Sequence, residues 1–193
     1  AVELADNDTE VFAIVIKGDG RTFSAGADIK EFARPLKGPN LPDVCQRIEN
    51  CSKPVVVALH GTSLGGGLEI ALACHYRTAI SSARVGLPEV HLGLLPGAGG
   101  TQRLPRLVGI SASIDIISSG RSLNASQALK FGIIDVLVED LDQDLLKFVS
   151  NIINSGSKIR RTRDNNEKIQ NSEENRVLIS EARKTFVKNY QSL

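Results

Sequence analysis

The sequence predicts an α/β domain, and three observations carry that prediction. Short apolar runs rich in β-branched residues recur along the chain: "EVFAIVIKG" (10–18), "KPVVVALHG" (53–61) and "YRTAIS" (76–81). Helix-forming segments alternate with them, the most apolar being "GGLEIALACH" from Gly66. A length of 193 residues suits one domain able to bury roughly two-thirds of its unfolded surface.

The elements follow in order. The first strand breaks at Gly18-Asp19-Gly20, a turn signal. In "LPDVCQRIENCS" (41–52), Val44, Ile48 and Cys51 fall on one helical face. Pro54 opens the second strand, where no ladder donor is needed. "GTQRLPRLVG" and "SASIDIISSG" predict short helices closed by left-handed caps at Gly109 and Gly120. In "SLNASQALKFG", Asn124 is the expected N-cap and Gly132 the C-terminal stop. "IIDVLVE" predicts a strand, and "DLDQDLLKFVSNII" and "NRVLISEARKTFVKNY" predict two more helices. The stretch 154–175 is nearly free of apolar residues beyond Arg160 and is the expected linker. The division is a core over 1–153 and a linker with a helical segment over 154–193.

Composition narrows the function classes. A net charge of +1 argues against a large nucleic-acid footprint. Arg103 with Arg106, and Arg160 with Arg161 and Arg163, read by default as solvated surface. Cys45, Cys51 and Cys74 are an odd number without C-x-x-C spacing, and His60, His75 and His91 complete no metal pattern. Reduced structural thiols in an intracellular compartment are the expectation, with no metal site. No apolar stretch approaches the roughly 20 residues that span a bilayer. The acidic start "AVELADNDTE" is neither a signal nor a transit peptide and reads as the middle of a domain.

The candidate chemistry lies around the glycines. A helix that begins Gly66-Gly67-Leu68 leaves its first N–H groups without helical acceptors, and glycine lets a ligand reach them. A plain tight turn is the alternative. No G-x-x-x-x-G-K-[ST] is present, and "GAGGTQR" (97–103) fails the dinucleotide pattern at Gln102. Glu69, one turn past Gly66 in an apolar run, needs a partner or a proton if buried. Glu89, in "GLPEVHLGLLP", is again set among apolar residues, so the two form a plausible acid/base pair. Ala25-Gly26-Ala27 supplies a second small-residue turn, and Asp28 beside it reads either as part of that site or as a helix N-cap. His60 and His75 read as core or boundary residues, and His91 as a neighbour of Glu89.

"FSAGADIKEF", "GTSLGGGLEIALACHYR", "VGLPEVHLGLLPGAGGTQRLPRLVG" and "ALKFGIIDVLVE" together resemble the enoyl-CoA hydratase/isomerase (crotonase) superfamily, from about residue 10 to 140. The resemblance implies a crotonase-like spiral of strand–helix turns with C-terminal helices. It implies hydration of 2-trans-enoyl-CoA to 3-hydroxyacyl-CoA in fatty-acid β-oxidation, with Δ3-Δ2 isomerisation as the alternative. Glu69 and Glu89 fall on the catalytic glutamates, and the N–H groups of Ala27 and Gly66 on the oxyanion hole. Ala25, Asp28, Ile29 and Lys30 match the segment along the CoA nucleotide. No cofactor is implied beyond the coenzyme A of the acyl-CoA substrate.

His75, where simple hydratases more often carry Asp, together with "GLPEVHLGLLPGAGGTQRLPRLVG", "IRR" at 159–161 and the tail "ISEARKTFVKNY", makes the chain similar to the hydratase/isomerase portion of peroxisomal multifunctional β-oxidation enzymes. That implies a longer parent chain or a homo-oligomer, and a peroxisomal location with the mitochondrial matrix as alternative. The family's leading strand and helix have no counterpart before Glu10, so an open sheet edge is expected there. A non-catalytic crotonase-like module for RNA binding or assembly is the reading from another class. The charge balance and the lack of interleaved aromatics speak against it.

Overall fold

The computed structural model describes residues 1–27 and 38–190. Among them the order is α1 (Val2–Asn7), β1 (Ile14–Lys17), α2 (Leu41–Glu49), β2 (Val55–Leu59), β3 (Thr62–Leu64), α3 (Gly66–Ala73), β4 (Tyr76–Ile80) and β5 (Arg84–Gly86). A 3-10 turn at Pro88–Leu92 leads to α4 (Gly100–Val108), α5 (Ile110–Ser119), β6 (Ser122–Asn124), α6 (Ala125–Phe131), β7 (Val136–Val138), α7 (Gln143–Asn154) and α8 (Ser172–Tyr190).

The chain winds as a spiral. Strands β1, β2, β4 and β7 form one parallel sheet in the order β1-β2-β4-β7. Each of the two central circuits then adds a strand to a smaller sheet, ordered β3-β5-β6, before a helix brings the chain back. In that sheet β3 and β5 run parallel and β6 antiparallel to β5.

β2 explains why the spiral holds. All five of its residues are buried, as befits a strand covered on both faces. Val55, Val57 and Leu59 join the main core with Ile48 of α2 and Leu68 and Leu72 of α3. Val56 and Ala58, on the opposite face by the two-residue period, pack with Tyr76 and with Leu145, Val149 and Ile152 of α7. Asn40 caps α2 by accepting the Asp43 N–H at 2.9 Å. Asn124 and Gln127 close a reciprocal capping box at α6.

The larger elements stand where the sequence placed them, with several differences. Gly120 adopts the left-handed cap, but Gly109 lies at φ 86°, ψ 168°, because it links α4 directly into α5 and its extended ψ turns the chain. No helix is expected before Glu10, yet the start of the chain forms α1, whose Val2 and Ala5 pack on the main core. β1 is the outer strand of the larger sheet among the described residues.

Of the arginines expected at the surface, Arg160 and Arg163 are exposed, whereas Arg103 is drawn inward by a carboxylate distant in sequence. Arg103 is buried against Glu49, and Arg160 pairs with Asp135 at 2.9 Å while lying 4.2 Å over the Tyr76 ring. The polar stretch 154–175 is fastened to the core at several points. The Tyr76 hydroxyl donates to the Lys158 carbonyl at 2.9 Å, and the buried Thr162 donates to the Leu72 carbonyl at 2.9 Å.

Candidate active site

Three segments meet where β3 passes into α3. Ser24 is stitched to β3: its N–H donates to the Thr62 carbonyl at 3.2 Å, and its carbonyl accepts the Leu64 N–H at 3.0 Å. That seam lays the 24–27 turn against the glycine triplet. A Cβ at Gly26 would lie 3.7 Å from the Gly66 nitrogen, and one at Gly66 would lie 3.9 Å from the Ala27 nitrogen. Among the described residues neither the Ala27 nor the Gly66 N–H donates to a backbone acceptor. Two backbone donors therefore stand side by side at the head of α3, where the helix dipole is positive.

The turn into α3 needs glycine at Gly65, which sits at φ 52°, ψ −127°, a region other residues rarely enter. Its N–H donates to the Gly86 carbonyl at 2.9 Å, which brings β5 and the following 3-10 turn up to the same place.

Glu69 points from the first turn of α3 into the core and is only 3% exposed. Its Oε1 accepts the N–H groups of Ala98 and Gly100 at 2.7 and 2.8 Å. Burial raises its pKa, while those two N–H groups and the Arg103 charge pull it partly back. A Cβ at Gly100 would lie 3.0 Å from Glu69 Oε1, so only glycine lets that amide approach.

Glu89 comes from the 3-10 turn at Pro88–Leu92 and is half-buried. It faces the glycine turn: a Cβ at Gly65 would lie 3.2 Å from Glu89 Oε1. Its Oε2 is enclosed and has no hydrogen-bond partner among the described residues. Burial raises its pKa, and the charge of Glu69 adds to the rise. The two carboxyls thus differ, one held by two backbone donors and one left with an unengaged oxygen. That is the division expected of a fixed group beside one that exchanges protons.

Ala25, Ala27, Gly66, Glu69 and Glu89 lie within the described residues; Asp28, Ile29 and Lys30 lie outside them. Sequence reasoning missed the amides of Ala98 and Gly100. The signal was the small-residue run "GAGG" at 97–100, noticed only as a failed nucleotide pattern. It also missed Arg103 and Glu49, whose carboxylate accepts from the guanidinium Nη2 at 2.9 Å.

Of the histidines, His75 is satisfied at both ring nitrogens, whereas His60 keeps a buried Nδ1 without a partner among the described residues. His75 is fully buried, its Nδ1 accepts the Val55 N–H at 3.0 Å, and Nε2 lies 3.2 Å from the Glu49 carbonyl. A backbone N–H can only donate, so His75 is the neutral Nε2–H tautomer, and burial depresses its pKa accordingly. The three cysteines are buried and unpaired, and burial pushes Cys45 to about 11 and Cys74 to about 12, which keeps those two as unreactive thiols. Among the described residues no three His, Cys, Asp or Glu side chains are grouped to hold a metal ion. No described helix is long and apolar enough to cross a membrane.

The family model described as enoyl-CoA hydratase/isomerase matches residues 1–192. The chain is 54% identical over 138 residues to the peroxisomal bifunctional enzyme of Danio rerio, covering 72% of this chain and 19% of that protein. It is 44% identical over 147 residues to a probable enoyl-CoA hydratase of Bacillus subtilis, covering 72% and 57%. The crystal structure of an enoyl-CoA hydratase from Bacillus anthracis superimposes with a TM-score of 0.72 at 34% identity, covering 78% of this chain and 62% of that one. The chain spans about a fifth of the length of the bifunctional enzymes it matches.

Proposed function

The chain belongs to the enoyl-CoA hydratase/isomerase family, and on that footing we propose that it hydrates 2-trans-enoyl-CoA to 3-hydroxyacyl-CoA in fatty-acid β-oxidation. The observation that carries the reading is one juxtaposition. Two backbone donors, Ala27 and Gly66, adjoin a turn whose other side faces Glu89, with Glu69 one helical turn along.

In this reading the Ala27 and Gly66 N–H groups hold the thioester oxygen. Polarising the thioester makes Cβ electrophilic, and the enolate formed on attack meets donors already in place. Losing one such donor typically costs about 2.7–4 kcal/mol of barrier. Water held between Glu69 and Glu89 adds through its oxygen to Cβ as a carboxylate takes its proton. The π electrons move to the thioester oxygen, and the carbonyl re-forms as a carboxylic acid delivers a proton to Cα. Glu89, with an enclosed oxygen that no described group engages, is the principal acid/base. Glu69, pinned by two amides, orients and helps activate the water.

Ala25 and the residues that follow, Asp28, Ile29 and Lys30, lie along the CoA nucleotide in the same proposal, and coenzyme A enters only as part of the substrate. In this proposal residues 1–153 are the catalytic core and 154–193 a linker and C-terminal helical segment, and the much longer bifunctional relatives support membership of a longer multifunctional chain. The peroxisomal relatives favour that compartment. Enoyl-CoA isomerisation is the second reading. It is favoured by the same Glu89 oxygen, since moving a proton between Cα and Cγ needs only one mobile carboxyl.

The test is a pair of assays on the chain: hydration of crotonyl-CoA, and isomerisation of a 3-enoyl-CoA. Hydration exceeding isomerisation is expected. Isomerisation alone would move Glu69 out of the catalytic role, and neither activity in a folded chain that binds CoA would refute the enzyme reading.

A further inference from the structure

A buried cation stands behind the turn that holds Glu69. Arg103, 9% exposed, donates from Nη1 to the Ala98 carbonyl at 2.9 Å, while the N–H of Ala98 donates to Glu69 Oε1 at 2.7 Å. The other edge of the guanidinium, Nε and Nη2, donates to Glu49 Oε2 at 3.2 and 2.9 Å. Glu49, 1% exposed, is clamped in turn: the Arg163 N–H donates to its Oε1 at 2.9 Å, and its carbonyl accepts from Arg161 Nε at 3.1 Å. A side chain at Gly99 would collide with Arg103 Nη1, so the turn is wrapped closely around the guanidinium.

Burying an ion pair is a poor way to stabilise a core, and apolar residues of similar volume generally do as well. An apolar pair could not engage the Ala98 carbonyl. The planar guanidinium fork does both jobs at once, taking Glu49 on one edge and the carbonyl on the other. The bonds form a continuous line from Arg163 through Glu49, Arg103 and Ala98 to Glu69.

We propose that Arg103, clamped by Glu49 and the 161–163 strap, is a positioning residue that fixes the Ala98 peptide so that the Ala98 and Gly100 amides hold Glu69 in its reacting place. The proposal rests on the hydratase reading. It also ties the polar segment after the core to the rate of the site, through the Arg163 N–H.

The charged and titratable groups that act on Glu69, among the described residues, are Arg103 of α4, Glu89 of the 3-10 turn and the Cys45 thiol of α2. Arg103 is the one cation of the three, so removing it moves the Glu69 carboxyl to a higher pKa and the acidic limb of kcat to higher pH.

The single variant Arg103→Gln leaves Glu49 buried without its cation and risks unfolding. The companion is therefore the double variant Glu49→Leu/Arg103→Met, which strands no charge. Each is read by Tm, by kcat and KM on crotonyl-CoA, and by the 13C titration of the Glu69 carboxyl. In the folded double variant kcat falls roughly 10- to 100-fold with KM little changed, and Glu69 titrates at higher pH than in the wild type. Arg103→Lys, which keeps the charge but not the fork, restores the titration and only part of kcat. A folded double variant with wild-type kcat and wild-type Glu69 titration overturns the proposal, as does a loss confined to Tm. The carboxyl titration needs no turnover. A wild-type chain that fails to hydrate crotonyl-CoA would therefore sink the hydratase reading while the titration still decides whether Arg103 controls Glu69.

Discussion

Gly65 faces the carboxyl of Glu89 so closely that a Cβ there would lie 3.2 Å from Oε1 and 3.6 Å from Cδ. One glycine thus serves both the backbone path into α3 and the room for the Glu89 side chain. Gly65→Ala is expected to lower stability by about 1–3 kcal/mol, because φ 52°, ψ −127° is a region that side chains resist. It should also reduce hydration, by moving Glu89 a few tenths of an ångström. Urea unfolding beside kcat checks both effects, and a full rate in the variant would detach Gly65 from the site.

Glu69→Gln should separate chemistry from structure. A glutamine carbonyl can still accept both the Ala98 and Gly100 N–H groups and carries no buried charge, so Tm at pH 7 should not fall. The amide cannot take a proton from water, and hydration should fall on the order of 10²- to 10⁴-fold, the usual worth of a positioned acid or base. Isomerisation through Glu89 should persist. Equal loss of both activities would undo the division of roles between the two glutamates.

The pH dependence of stability follows from burial. Glu69 and Glu89 both have pKa values raised above 4.5 in the fold, chiefly by desolvation, so in that window the folded state binds more protons than the unfolded chain. Their contribution to stability is complete below the unfolded pKa and is lost as pH rises through the folded values. Glu89→Gln removes one ionised group from an enclosed site, and should raise Tm at pH 7 while changing it less at pH 4. Each 1 kcal/mol relieved corresponds to about 2–4 °C in a chain of this size. Scanning calorimetry at the two pH values reads this, and a Tm at pH 7 lower than the wild type's would contradict it.

His75 titrates the other way. Its pKa is depressed below 6.5 by burial, with the Val55 N–H occupying Nδ1. Below pH 6.5 the unfolded chain binds the proton first, so stability declines as pH falls from there toward the folded pKa. Ring 15N shifts at pH 6.5 should show a protonated Nε2 and a bare Nδ1. A doubly protonated ring at that pH would show the assigned hydrogen bonds to be wrong.

Much of this was legible in the sequence because it depends on local pattern. The β-branched run of β2, the glycine entry to α3 and the Asn124 cap are each read from a handful of neighbouring residues. The smaller sheet was not legible: β3, β5 and β6 are three residues long, too short to display a two-residue period. The pair Arg103–Glu49 escaped for a different reason. Its partners are 54 positions apart, and a charge beside other charges ordinarily marks surface. The buried Thr162 was hidden likewise, its core partner Leu72, 90 positions away, supplied only by the fold. Of the site itself, Glu69 and Glu89 stood out as carboxylates in apolar runs, whereas the amides that hold Glu69 carry no side-chain signature.

The central claim is that Glu89 works as the acid/base at a thioester held by the Ala27 and Gly66 amides. The most direct measurement is the loss of the conjugated-thioester absorbance of crotonyl-CoA, for this chain beside its Glu89→Gln variant, with both shown folded by circular dichroism. Hydration by the wild type that falls on the order of 10²- to 10⁴-fold in the variant is the predicted result. Equal rates in the two proteins, or no hydration by a folded wild type that binds CoA, would contradict it.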